Sequence, residues 1–186
     1  MAIIILIAPI AVLVLWGVMA FNKLVGLRNR VDNGWSQIEV QLQRRFDLIP
    51  NLVDTVKAYA SHETDVFTKV TEARAAAGKA VASHSVADAA SAENAYQAAR
   101  VAINAVSENY PELRSNENFQ QLQEELTSTE NKVAFARQNY NDTVTAYNTA
   151  LETVPTNIVA RFGTFDHRDV FKVDDEAVRK APKVSF

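Results

Sequence analysis

Three histidines and a scatter of carboxylates are the side chains of this chain with the means for metal or acid-base chemistry. A di-iron site in a helical bundle requires Glu-x-x-His, acid and imidazole one turn apart so that both reach the same ion. Three positions before His62, His84 and His167 stand Tyr59, Val81 and Thr164, so the spacing fails at each. His62-Glu63 opens like the helix of a zinc hydrolase, but the second imidazole belongs four residues after the first, where Val66 stands. Gly78-Lys79 lacks the earlier glycine of a phosphate-cradling loop, and neither G-x-S-x-G nor G-x-G-x-x-G occurs. Cysteine is absent, which removes disulfides, thiolate ligands and a thiol nucleophile. The sequence therefore implies no enzyme activity, no metal and no cofactor.

Other polar groups are placed for contact rather than catalysis. Arg44 and Arg45 beside Asp47 are expected to form solvated or one-turn ion pairs, each contributing a few tenths of a kcal/mol; anion binding there is the sharper alternative. Tyr140 and Tyr147, each followed by an asparagine (Asn141 and Asn148), repeat after one heptad on the helix that also carries Arg137. They are expected to form a partly buried hydrogen-bond ladder that sets helix register. Val184-Ser185-Phe186 alternates apolar residues ahead of the Phe186 carboxylate, a form that a PDZ-type sheet edge accepts as an added strand.

These residues ride on a chain built for helices. Only 5 glycines and 5 prolines occur in 186 residues, and the net charge of -3 offers no basic face for a phosphate backbone, which excludes nucleic acid as a partner. From Ala2 to Phe21 no side chain ionises. As a helix this segment is about 30 Å long, the thickness of a bilayer's hydrocarbon core, and it is read as a transmembrane anchor. Val18-Met19-Ala20 resembles a signal-peptidase site, but the positive n-region of a signal peptide is missing. Lys23, Arg28 and Arg30 follow the segment closely and no Lys or Arg precedes it, so the positive-inside bias puts the bulk of the chain in the cytoplasm at the inner membrane; an extracytoplasmic domain is the alternative.

Beyond the anchor, Leu24, Leu27, Val31, Trp35, Ile38 and Leu42 recur at alternating three and four spacing, and the phase continues through Phe46, Ile49, Val53, Val56, Ala60, Phe67 and Val70. Register that survives Pro50 predicts one bent rod from residue 22 to about 77, with a loop at residues 47–50 as the rival reading. Gly78 to Ser83 marks a turn, and the alanine-rich stretch from Ser85 to Ser107 reads as a further helix ended near Asn109-Tyr110-Pro111. A second stripe, Phe119, Leu122, Leu126, Thr129, Val133, Ala136, Tyr140, Val144, Tyr147 and Leu151, is capped by Asn116 or Ser115 and closed by Pro155. The fold class is all-α: an N-terminal transmembrane helix (1–21), an elongated antiparallel helical bundle with coiled-coil-like packing (22–153), and a tail (154–186) whose Phe162, Phe165 and Phe171 fold back on the bundle.

Residues 28–63, RNRVDNGWSQIEVQLQRRFDLIPNLVDTVKAYASHE, together with NYPELRSNENFQQLQEELTSTENKVAFARQNYNDTV at 109–144, VPTNIVARFGTF and the closing APKVSF, resemble the LemA family of bacterial membrane proteins. The specific pieces are the R-x-D-L-I-P-N-L-V core from Arg45 to Val53 and the E-N-x-x-x-x-A-R-x-x-Y-N run from Glu130 to Asn141. The resemblance implies a single-pass protein with a helical bundle, and it brings no reaction, cofactor or agreed partner. Function is thus expected from contact: a membrane-anchored scaffold or adaptor for unidentified proteins, or alternatively a ligand-sensing bundle that signals at the membrane. The oligomeric state stays open.

Overall fold

A computed structural model of the chain describes residues 2–172. Six helices follow one another: α1 (Ala2–Tyr59), α2 (Thr64–Ser83), α3 (Val86–Asn109), α4 (Pro111–Arg114), α5 (Glu117–Glu152) and α6 (Thr156–Ala160), and no strand occurs among the described residues. The all-α class follows directly from the two long stripes. Two compact units are present. One holds the described residues up to Ile38 with Ala134–Val170, the other Glu39–Val133 with Phe171 and Lys172, so α1 and α5 each contribute to both.

In the second unit the helix runs without a loop through Pro50. The proline forfeits one backbone hydrogen bond; Ile49, Leu52 and Val56 on the same turns are buried in the core and offset that loss. The single rod to residue 77 is not what forms. α1 stops at Tyr59, Ala60 to Glu63 make a tight turn closed by Glu63 N–H on the Ala60 carbonyl at 3.2 Å, and α2 doubles back. Lys57 then lies over the Phe67 ring at 5.6 Å, Arg74 over Phe46 at 5.5 Å, and Glu39 meets His84, an antiparallel hairpin. Nor does the chain turn at Gly78: helix persists to Ser83, and His84 takes the left-handed position at φ 50°. Gly78 serves packing instead, with the Phe46 ring 3.5 Å from where its Cβ would be.

α3 begins at Ser85, whose Oγ accepts from the Asp88 N–H, and returns along α2; buried Ala73, Ala77, Ala89 and Ala92 let the two backbones come close. α5 starts at the Asn116 cap, Oδ1 accepting from the Phe119 N–H at 3.0 Å, and lies antiparallel to α1, with Asn116 on Tyr59 and Glu125 near Arg44. The result is one apolar core to which α1 gives Ile49 and Val56, α2 Val70, α3 Ile103, the short α4 Leu113 and α5 Leu126.

In the first unit Leu24, Val31 and Ile38 of α1 are buried, as are Tyr140, Val144 and Tyr147 of α5. Gly34 permits the approach, since a Cβ there would sit 3.3 Å from Tyr140 Cα; beside it the Trp35 and Tyr140 rings meet edge to face at 5.4 Å. After α6 the chain returns along α5. Asn148 holds Arg168 by two bonds, accepting from its N–H at 3.0 Å and donating to its carbonyl at 2.8 Å. Phe165 packs its ring on Phe21 at 5.4 Å, whereas Phe162 does not fold back: it is 89 % exposed; Phe171, in the second unit, is buried. From Pro9 to Met19 the apolar segment of this unit is largely open to its surroundings. Its most hydrophobic window has a mean hydropathy of 2.0 and is only 11 % buried, unlike the core helix of a soluble fold.

Candidate functional site

The least expected feature of the second unit is a charge in its core. Arg45, in phase with Leu42, Ile49 and Leu52, is only 2 % exposed, and Glu93 of α3 is 7 % exposed. Two charges so far from water must be paired. Arg45 Nη1 donates to Glu93 Oε2 at 2.6 Å, and the guanidinium stacks 3.8 Å over the Tyr96 ring. From Glu93 the network runs outward: Gln97 Nε2 donates to Glu93 Oε1 at 3.1 Å and to Glu130 Oε1 at 3.2 Å, and Glu130 pairs with Arg100 near the surface. Three helices are thereby locked at one level.

Three polar atoms at this level have no protein partner: Arg45 Nε, Arg45 Nη2 and the Tyr96 hydroxyl. Burial pushes the Tyr96 hydroxyl above its ordinary range, and the Arg45 charge works against that. Beside them, between Ile49, Leu52, Val70, Tyr96, Ile103 and Leu126, is a cavity of about 10 Å³. That is room for about one water. The arrangement ties α1, α3 and α5 at one level and leaves room beside it for a solvent molecule.

On its outer side the same stretch of α1 faces solvent. Leu48, Asn51, Asp54 and Thr55 form one wall, and Asn118, Gln121, Leu122 and Glu125 of α5 the other, of an open groove of about 470 Å³. Its lining includes amides, a hydroxyl and two carboxylates, which supply both hydrogen-bond donors and acceptors.

The residues singled out from the sequence thus part company. Arg45 does not make the local, solvated pair expected of it, because its position on the inward face leaves Glu93 as the reachable acid. Arg44 is solvated, 3.9 Å from Glu125, while Asp47 accepts from Gln43. Pro50 lies half-buried in the continuous helix. On α5, Tyr140 and Tyr147 are buried and Arg137, Asn141 and Asn148 half-buried, and Tyr140 and Asn148 are tied to the returning segment. The Tyr140 hydroxyl donates to the Asp169 carbonyl at 2.9 Å, Asn148 holds Arg168, and the Tyr147 hydroxyl is buried without a partner. Burial raises both tyrosine hydroxyls above their ordinary range. Phe186 and the terminal Val184-Ser185-Phe186 lie outside the described residues.

Glu93, Gln97 and Arg100 were not legible as a site, yet they recur at helical spacing in phase with Tyr96 and Ile103. Polar residues inside an apolar stripe were the available signal. Among the described residues no three His, Asp or Glu side chains gather as a metal ligand set.

A model of the LemA family matches residues 34–186, which takes in the buried pair, the groove, the second stripe and the first from Trp35 onward. The chain belongs to the LemA family. Protein LemA of Metamycoplasma hominis is 24 % identical over 140 residues, covering 75 % of this chain and 63 % of its own length. Two magnetosome proteins of Paramagnetospirillum magneticum, MamQ 1 and MamQ 2, are each 23 % identical over 177 residues, covering 83 % of this chain and 65 % of theirs. The chain therefore spans less than two thirds of the length of these curated relatives. None of the names states a reaction. Within the matched region, the family's Arg45 to Val53 core divides by face, with Arg45, Ile49 and Leu52 turned inward and Leu48 and Asn51 lining the groove.

Proposed function

We propose that the chain is a membrane-anchored helical scaffold that acts by protein contact, its bundle on the cytoplasmic side. The observation that carries this reading is a contrast in where surface is available. The apolar segment is left uncovered by the fold, as a lipid-embedded helix would be, while the bundle core is crossed by an ion pair and the cavity beside it measures about 10 Å³. What the bundle can offer a partner is therefore its outside, above all the α1–α5 groove with Asn51, Asp54, Gln121 and Glu125.

The experiment is site-specific photo-crosslinking in intact membranes, with the reactive residue at Asn51 or Gln121 of the full chain. The scaffold reading expects a discrete protein adduct from both positions, lost when a large side chain is built into the groove as Asn118→Trp. No adduct, together with a small metabolite that raises the unfolding midpoint, would overturn it in favour of the ligand-sensing alternative. A reporter joined after Phe186 tests the orientation, and activity confined to the outer side would reverse the assignment drawn from Lys23, Arg28 and Arg30.

A further inference from the structure

Val154, Ile158 and Phe162 recur every fourth residue around α6 and are 76 %, 52 % and 89 % exposed. Ile158 lies on α6 and Phe162 in the turn that follows it, while Val154 stands in the turn before it, and Phe162 is the most exposed large apolar side chain among the described residues. A single exposed apolar residue needs no explanation, but three large ones left exposed within one short stretch of chain ask what covers them.

The position of that patch says what covers it. α5 runs antiparallel to α1, with Tyr140 against Trp35. Glu152 lies 12 residues beyond Tyr140 and Lys23 lies 12 before Trp35, so both are about 18 Å from that contact at 1.5 Å per residue. The end of α5 is thus level with Lys23, the first charge after the apolar segment. The turn beyond reaches further: Gly163 and Phe165 pack against Phe21, the last residue of that segment, and Ala20 is 4 % exposed where Met19 is 63 %. The fold therefore overlaps the final turn of the apolar helix and ends there, with Phe162 beside it.

We propose that α6 and its flanks are a lipid-docking wedge: Val154, Ile158 and Phe162 enter the interfacial layer of the same bilayer that α1 crosses, and so fix the depth of the unit against the membrane. This rests on the reading of the apolar segment as membrane-spanning. The occupant is the acyl-headgroup boundary rather than an anionic lipid, because the large side chains left outside are apolar and the charges of this end are of mixed sign, with Lys23, Arg28 and Arg161 set against Glu152 and Asp166. Apolar burial drives the docking, and salt or lipid charge does not.

The chain has no cysteine, so one fluorophore can be placed at will. Full chain carrying labelled Ile158→Cys is reconstituted in phosphatidylcholine vesicles and quenched by lipids spin-labelled near the headgroup or by aqueous iodide. Labelled Leu13→Cys and Phe135→Cys report the bilayer interior and the water. Wedge docking expects lipid quenching at 158 several-fold stronger than iodide quenching, unchanged by anionic lipid, with the preference inverted by adding Phe162→Asp. Iodide quenching at 158 while 13 stays lipid-quenched would overturn the wedge and leave the anchor standing. Protection from both quenchers would overturn it in favour of a second copy or a protein on this face. Failure of lipid quenching at 13 itself would remove the anchor, and the wedge with it.

Discussion

Removing the Arg45 guanidinium by Arg45→Ala should be the most damaging single change in the second unit. Glu93, 7 % exposed, would lose its 2.6 Å partner and keep Gln97 as its remaining donor, while Tyr96 would lose the cation 3.8 Å above its ring. Breaking a buried pair on one side costs about 3–5 kcal/mol, chiefly through the charge left behind. For a chain of this size that is about 6–20 °C in the unfolding midpoint, at roughly 2–4 °C per kcal/mol. Removing both charges should behave differently. In the double variant Arg45→Met, Glu93→Met no ion is stranded, two unpartnered guanidinium nitrogens disappear, and stability should come within about 1 kcal/mol of the parent or exceed it. Arg44→Ala is the control: its pair with Glu125 spans 3.9 Å with side chains 51 % and 36 % exposed, and its loss should cost no more than about 1 kcal/mol. The assay is helical circular dichroism of the full chain in detergent, melted thermally and titrated with urea. A parent-like midpoint for Arg45→Ala would show that the guanidinium is solvated, and a double variant worse than the single would show that the pair is a net stabiliser rather than a register device.

Three further outcomes follow from single contacts. Gly34→Ala should destabilise despite the better helix propensity of alanine, because its Cβ would lie 3.3 Å from Tyr140 Cα, whereas Gly26→Ala, with nothing within 4 Å, should gain about 0.5–1 kcal/mol; paired urea midpoints decide it. Tyr96, Tyr140 and Tyr147 all have hydroxyls held above the ordinary value of 10.0 chiefly by burial, so the stability they lend is complete below that pH and lost as pH climbs through the raised values; tyrosinate absorbance should rise together with loss of helix, and Tyr147→Phe, which deletes a buried hydroxyl without a partner, should be neutral or stabilising by up to about 1 kcal/mol. Asn148→Ala removes both bonds to Arg168, and hydrogen exchange at the Arg168 amide should accelerate at least tenfold, the effect of about 1.4 kcal/mol, with the α3 amides unchanged.

Much of the fold was legible because it depends on periodicity alone. An uncharged segment about 30 Å long, apolar residues every three or four positions, and an asparagine three residues ahead of Phe119 each state a local preference that no partner needs to confirm. What periodicity could not see was the break after Tyr59. Ala60 to Phe67 is seven residues, two helical turns, so a stripe that stops and restarts there keeps its phase. The turn contains neither glycine nor proline, and α2 starts without a side-chain cap, so no local signal marked it. The left-handed residue that ends α2 is a histidine rather than the nearby glycine.

The site was hidden for a different reason. Arg45 has carboxylates near it in sequence, and only the packing of α1 against α3 decides that its partner is Glu93, 48 positions away, in place of Asp47. In the same way, sequence presented Phe162, Phe165 and Phe171 as equivalent, and tertiary structure alone buried the third, set the second on Phe21 and left the first outside. Sequence by itself determined which faces are apolar and where helices are favoured, since those are sums of local terms. Which charge meets which, and which apolar side chain is left over, was decided by the closing of helices on one another, because burial belongs to the assembled surface and to no residue alone.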